Sequence, residues 1–116
     1  MGRLTTHVLD TAHGVPASGV AIKLYAAGQP GQALAEAVTN ADGRCDRPLL
    51  EGAALTPGIY VLDFAIADYF RARGLALSDP PFLDHVAIPF GIADANAHVH
   101  VPLLVSPFGY TTYRGS

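Results

Sequence analysis

An all-β sandwich carrying one short helix is the fold class this 116-residue sequence predicts, on three observations. Short runs alternate between apolar and polar positions, turn residues interrupt them at close intervals, and a single segment has helical character. Short half-buried strands joined by frequent Gly- and Pro-bearing turns pack as two facing sheets. The length suits one domain over residues 1–116, since domains commonly run to about 100–150 residues. Half the residues are hydrophobic and only 15% are charged, which excludes a disordered chain.

In chain order, "RLTTHVLDT" places Leu4, Thr6 and Val8 on one strand face and Thr5, His7 and Leu9 on the other. "HGVPASG" reads as a loop. In "GVAIKLYAA", Val20, Ile22 and Leu24 are in phase. "LAEAVTN" and "RCDRPLL" flank "NADG", whose Asp42-Gly43 pair predicts a hairpin. "GIYVLDFAI" sets Tyr60, Leu62, Phe64 and Ile66 on one face, with Ile59 and Val61 opposite. "DYFRARGL" is the helical piece, with Asp68 as a start cap and Gly74 as a stop. About two turns are too short to stand alone, so this helix must dock on a sheet. "FLDHVAIPFGI" brings Val86, Ile88 and Phe90 into phase, and Pro89, lacking an N–H, suits an edge strand. "AHVHVPLLVS" and "YTTYRG" complete a set of about eight strands.

Composition narrows the function classes. A net charge of −3 with a single lysine, Lys23, offers no basic footprint for nucleic acid. The longest apolar stretches fall far short of the ~20 residues that span a bilayer. "MGRLTTHVLD" has no apolar secretory region, and the lone Cys45 can form neither an internal disulfide nor a CxxC metal motif. The expectation is a cytoplasmic protein.

The alternation in "AHVHVPLLV" is unusually clean. Val99, Val101, Leu103 and Val105 suit the sandwich core, so His98, His100, Pro102 and Leu104 point away from it. That row is too apolar for bulk water, and His7 with Leu9 is similar. Such a face predicts contact with another subunit and a polar groove between facing sheets. Either the histidines only decorate an interface, or they form a working site; imidazole suits both.

The ordered set "LTTHVLDT", "DGR", "HVHVPLLVSPFGYTTYRGS" and the terminal "YRGS" resembles the 5-hydroxyisourate hydrolase (transthyretin-related) family from Leu4 to Ser116. Many relatives carry an aromatic residue where this chain has Val99. A core-facing Val99 should alter packing rather than chemistry. The resemblance implies a transthyretin-like (prealbumin-like) sandwich of two four-stranded sheets. It implies a homotetramer, a dimer of dimers, with active sites in a channel between dimers. The implied reaction is hydrolysis of 5-hydroxyisourate to 2-oxo-4-hydroxy-4-carboxy-5-ureidoimidazoline in urate degradation, without metal or organic cofactor. The functional residues it implies are His7, Arg44, His100, Tyr113 and Ser116. Hormone-carrying transthyretins share the fold but lack these histidines and the "YRGS" ending. A carrier that binds without catalysis is the alternative.

These residue types suit the implied chemistry. Opening a ring amide needs a base for the attacking water, and histidine, with an ordinary pKa of ~6.5, suits that role. His7 and His100 are the proton-handling pair, with neither assigned as the base. Arg44 offers a planar guanidinium to ring oxygens and developing negative charge. Tyr113 and Thr111 face the channel, and Ser116 offers a hydroxyl and the terminal carboxylate. Arg47 is expected on the strand face opposite Arg44, and Arg114 is expected to pin the tail. His98 lies beside His100 and could support it, whereas His13 and His85 are expected to be structural or solvent-exposed.

Overall fold

The computed structural model describes residues 1–116. The elements are β1 Arg3–Asp10, β2 Val15–Pro16, β3 Ala21–Ala26, β4 Ala33–Val38, β5 Leu50–Glu51, β6 Gly58–Ala65, α1 Ile66–Ala72, β7 His85–Ile92, β8 His98–Ser106 and β9 Gly109–Thr112. One sheet has the order β2-β1-β8-β9 with β5 also paired to β1, and the other has the order β4-β3-β6-β7. The sandwich is therefore as predicted, but its sheets have five and four strands. The extra strand is β2, two residues inside the "HGVPASG" segment expected as a loop, while of the arm expected over "RCDRPLL" only the two-residue β5, starting at Leu50, forms a strand.

Between the sheets lies a continuous apolar core. Leu4 and Val8 of β1 meet Val99, Val101, Leu103 and Val105 of β8, all buried, across from Ile22, Leu24, Leu62 and Phe64 of the second sheet. The alternation thus sorts side chains as the sequence predicts, and Val99 does face the core. Pro89 also sits as expected, on edge strand β7, where a missing N–H donor costs no ladder bond.

Two local expectations are corrected. The first is the hairpin at "NADG". The turn forms, with the Gly43 N–H donating to the Asn40 carbonyl at 2.9 Å and Gly43 at φ +72. The run after it does not return along β4. Arg44 bridges His7 of the opposite sheet, and the Val8 N–H donates to the Gly43 carbonyl at 2.8 Å. The free edge of β1 captures this segment: β5 pairs with Arg3 and Leu4, Arg44 with His7, and β2 with Leu9 and Asp10. A Cβ on Gly43 would lie 2.4 Å from the Val8 carbonyl oxygen, so only glycine permits this approach.

The second correction is the helix start. α1 begins at Ile66, so Asp68 lies inside its first turn and caps nothing. The Asp84 carbonyl instead accepts from the N–H groups of Ile66 and Ala67 at 3.1 and 3.0 Å. Asp68 still favours the helix through its charge near the positive end of the dipole. Gly74 ends the helix as predicted, at φ +91, its N–H donating to the Arg71 carbonyl. Ile66, Ala67, Tyr69 and Phe70 bury the inner face. Tyr69 also donates a 2.7 Å hydrogen bond to Asp10, tying the helix to β1.

Candidate active site

β1 and β8 pair in parallel, with Thr5 opposite His100 and Arg3 opposite His98. Directly paired residues share a sheet face, so Thr5, His7, His98 and His100 gather on the side away from the core. His7 Nδ1 lies 2.6 Å from His100 Nε2, a hydrogen bond between two imidazoles whose ring planes are 22° apart and whose centroids are 4.8 Å apart. Thr5 Oγ1 lies 2.7 Å from His100 Nδ1 and 2.9 Å from His98 Nε2. These side chains border a cleft of about 420 Å³ that Arg44, Tyr113 and Ser116 also line. All five residues singled out from the sequence therefore meet in one place.

The local fold fixes each of them. Arg44 is held by the Asn40 turn: Asn40 Oδ1 accepts from the Asp42 and Arg44 N–H groups, and the Asn40 N–H donates to the Arg44 carbonyl. The tail returns along β8 after β9, and the Gly115 N–H donates to the His100 carbonyl at 2.8 Å. A Cβ on Gly115 would lie 2.6 Å from His100 Cδ2, so the tail lies directly on that ring. His100 is only 6% exposed as a result. It points outward from the sheet, as the alternation predicts, yet the chain's own tail shields it.

Burial and neighbouring positive charge keep both imidazoles neutral. Burial lowers the His7 pKa, and the Arg44 guanidinium lowers it further. Burial pushes His100 down to about 4, with His7, Arg44 and His98 adding to the effect. Cys45 also lines the cleft, but burial, then Asp46, raises its thiol, so it is a poor nucleophile.

Some expectations about neighbours change. Arg47 lines the same cleft as Arg44, because residues 44–49 are not a strand and do not alternate between faces. Arg3 joins them from the start of β1. Arg114 forms no ion pair; the tail is held through the Gly115 backbone. Ser116 lines the cleft without a hydrogen bond to either histidine. Thr5 and Gly115 also line the cleft; the alternation of β1 puts Thr5 on the face of His7, but nothing local in the sequence marks either residue as part of a site. His13 and His85 lie away from the cleft, paired with Asp10 and Asp63 at 2.6 Å each.

A two-sheet sandwich with a hydrogen-bonded histidine pair beside an arginine has the elements of an acid–base site. Comparison with known proteins identifies the lineage. Residues 4–115 match the model of the HIUase/Transthyretin family, and the chain belongs to that family. It is 61% identical over 117 residues to the 5-hydroxyisourate hydrolase of Ralstonia nicotianae, covering 100% of both chains. The solved Klebsiella pneumoniae 5-hydroxyisourate hydrolase superposes with a TM-score of 0.82 at 36% identity, again over 100% of both chains. An (S)-allantoin synthase structure superposes with a TM-score of 0.92 at 45% identity; the match covers 99% of this chain but 44% of that one.

Proposed function

We propose that this chain hydrolyses 5-hydroxyisourate to 2-oxo-4-hydroxy-4-carboxy-5-ureidoimidazoline, a step of urate degradation. The observation that carries the reading is the His7–His100 pair, 2.6 Å apart and neutral, on the wall of a cleft shared with Arg44. The high identity to named 5-hydroxyisourate hydrolases supports the choice of substrate.

The chemistry follows from the groups present. His7 Nε2 has no protein hydrogen-bond partner, and no buried side-chain nitrogen is left unpartnered, so this atom opens to the cleft. Acting as base, it takes a proton from water as the oxygen adds to a ring carbonyl. The same proton is then available to the ring nitrogen as the C–N bond breaks. Proton transfer of this kind contributes about 10²–10⁴-fold. Arg44 offsets the charge growing on the carbonyl oxygen, while Tyr113 and Ser116 bound the substrate.

The working form is a homotetramer, a dimer of dimers whose facing cleft-bearing sheets enclose the site. The exposed edge strand β9 and exposed residues such as Phe108 and Tyr110 support assembly. We place its work in the cytoplasm, a reading supported by the unpaired thiol of Cys45.

The test is to generate 5-hydroxyisourate from urate and follow its ultraviolet decay with and without the protein. Acceleration that is lost in both His7→Asn and His100→Asn, each still folded and tetrameric, is the expected result. Binding without acceleration would identify a carrier.

A further inference from the structure

Thr5 lies between two imidazoles and at a fork in their hydrogen-bonding options. A neutral imidazole has one N–H and one lone pair, whereas a hydroxyl has one O–H and two lone pairs. His100 uses both nitrogens, Nε2 toward His7 at 2.6 Å and Nδ1 toward Thr5 at 2.7 Å. One of its nitrogens must therefore donate and the other accept, and the direction of one bond dictates that of the next.

Suppose Thr5 Oγ1 accepts from His100 Nδ1–H. His100 Nε2 then carries the lone pair and accepts from His7 Nδ1–H, leaving the lone pair of His7 on Nε2, the atom open to the cleft. The Thr5 O–H remains free to donate to His98 Nε2 at 2.9 Å. If Thr5 instead donates to His100 Nδ1, every direction reverses and His7 Nε2 carries a proton. The first arrangement presents a base to the cleft and the second an acid.

We propose that Thr5 is a positioning residue that sets the tautomers of His100 and His7 and joins them to His98 in one proton relay. The proposal rests on reading the cleft as a hydrolytic site. When His7 Nε2 takes a proton from water, His7 Nδ1–H passes its proton to His100 Nε2. His100 Nδ1–H passes its own to Thr5 Oγ1, and the Thr5 hydroxyl proton goes to His98 Nε2. One proton has then moved, in total, from water to the more exposed His98, and His7 Nε2–H is left poised as an acid for the leaving ring nitrogen.

The parallel register makes this arrangement structural rather than incidental. Thr5 pairs with His100 and Arg3 with His98, so a hydroxyl at residue 5 sits across from the imidazole at residue 100 and next to that at 98. Neighbouring Thr6 faces the other way and spends its hydroxyl on the Val101 carbonyl at 2.6 Å, a purely structural bond.

The experiment compares wild type, Thr5→Val and Thr5→Ser by long-range ¹⁵N–¹H spectra of ¹⁵N-histidine-labelled protein and by steady-state kinetics on 5-hydroxyisourate. Without substrate, wild type should show Nδ1–H on both His7 and His100, and Thr5→Val should lose that uniformity. Thr5→Val should lower kcat by about 10–100-fold with KM nearly unchanged, and Thr5→Ser should recover most of the loss. His98→Ala should lower kcat in a way that added imidazole restores. A wild-type His100 found as Nε2–H, unchanged tautomers in Thr5→Val, or an unchanged kcat would overturn the proposal. An unaffected His98→Ala would remove the outer step of the relay. Wild type with the expected tautomers but no acceleration of 5-hydroxyisourate decay would sink the functional reading alone, since the spectra need no substrate.

Discussion

Protonating His100 should cost the fold measurable stability, and the amount follows from its surroundings. In the unfolded chain its imidazole titrates near 6.5; in the folded protein burial, then the neighbouring His7, Arg44 and His98, push it down to about 4. The unfolded state therefore binds the proton first. Stability is complete above pH 6.5 and declines as pH falls toward the folded value. Because His100 is 6% exposed, the shift converts with little solvent screening, to about 2 kcal/mol lost between pH 7 and pH 5. Urea unfolding at both pH values, with wild type and His100→Gln at one fixed protein concentration, measures it. The wild-type advantage should shrink by about 2 kcal/mol on acidification. His85 shifts upward, chiefly through its hydrogen bond to Asp63, and so opposes this trend; its contribution is common to both proteins and cancels. A difference between the two proteins that stays constant from pH 7 to pH 5 would refute the reasoning.

Three further outcomes are expected. The pH profile of kcat/KM should stay flat from pH 8 to about 6.5 and decline only below, since His7 and His100 both titrate below the ordinary histidine value; an acid limb centred above 6.5 would contradict neutral imidazoles. Asp10 is fully buried and accepts from Tyr69 Oη, the His13 N–H and His13 Nδ1. Burial raises its pKa, but these hydrogen bonds outweigh that and hold it low, so Asp10→Asn should cost about 2–3 kcal/mol in urea unfolding while leaving kcat intact. Gly115→Ala should displace the tail from the His100 ring and lower kcat by about tenfold or more, with stability changed by less than about 1 kcal/mol. Assay and melting curve together check that last split.

Much of the sandwich was legible because its strands are half-buried. Leu4, Thr6 and Val8, then Val99, Val101, Leu103 and Val105, alternate strictly and all turn into the core; His100 and Pro102, on the outward face, are buried as well because Gly115 lies over them. The outward placement of His7 and His100 follows from the same rule. What the sequence hid depends on distant partners. Nothing local in "RCDRPLL" says that the edge of β1 will capture it, and the Asp42-Gly43 pair predicts a hairpin whichever sheet the chain enters next. Asp68 looked like a cap because the real partner, the Asp84 carbonyl, carries no side-chain signal. Arg47 reaches the cleft because its segment leaves strand geometry. Thr5 gains its importance only through the parallel register with β8, a pairing that local patterns do not encode.

That register also governs when, during synthesis, the chemistry first exists. The bonds from Thr5 and His7 to His98 and His100 join residues 93 to 95 positions apart. Contacts this remote form slowly, and none can form until residues 98 and 100 have left the ribosome. A nascent chain that stalls before β8 therefore holds none of these bonds, and it exposes an unpaired β1 edge to neighbouring chains until β8 arrives.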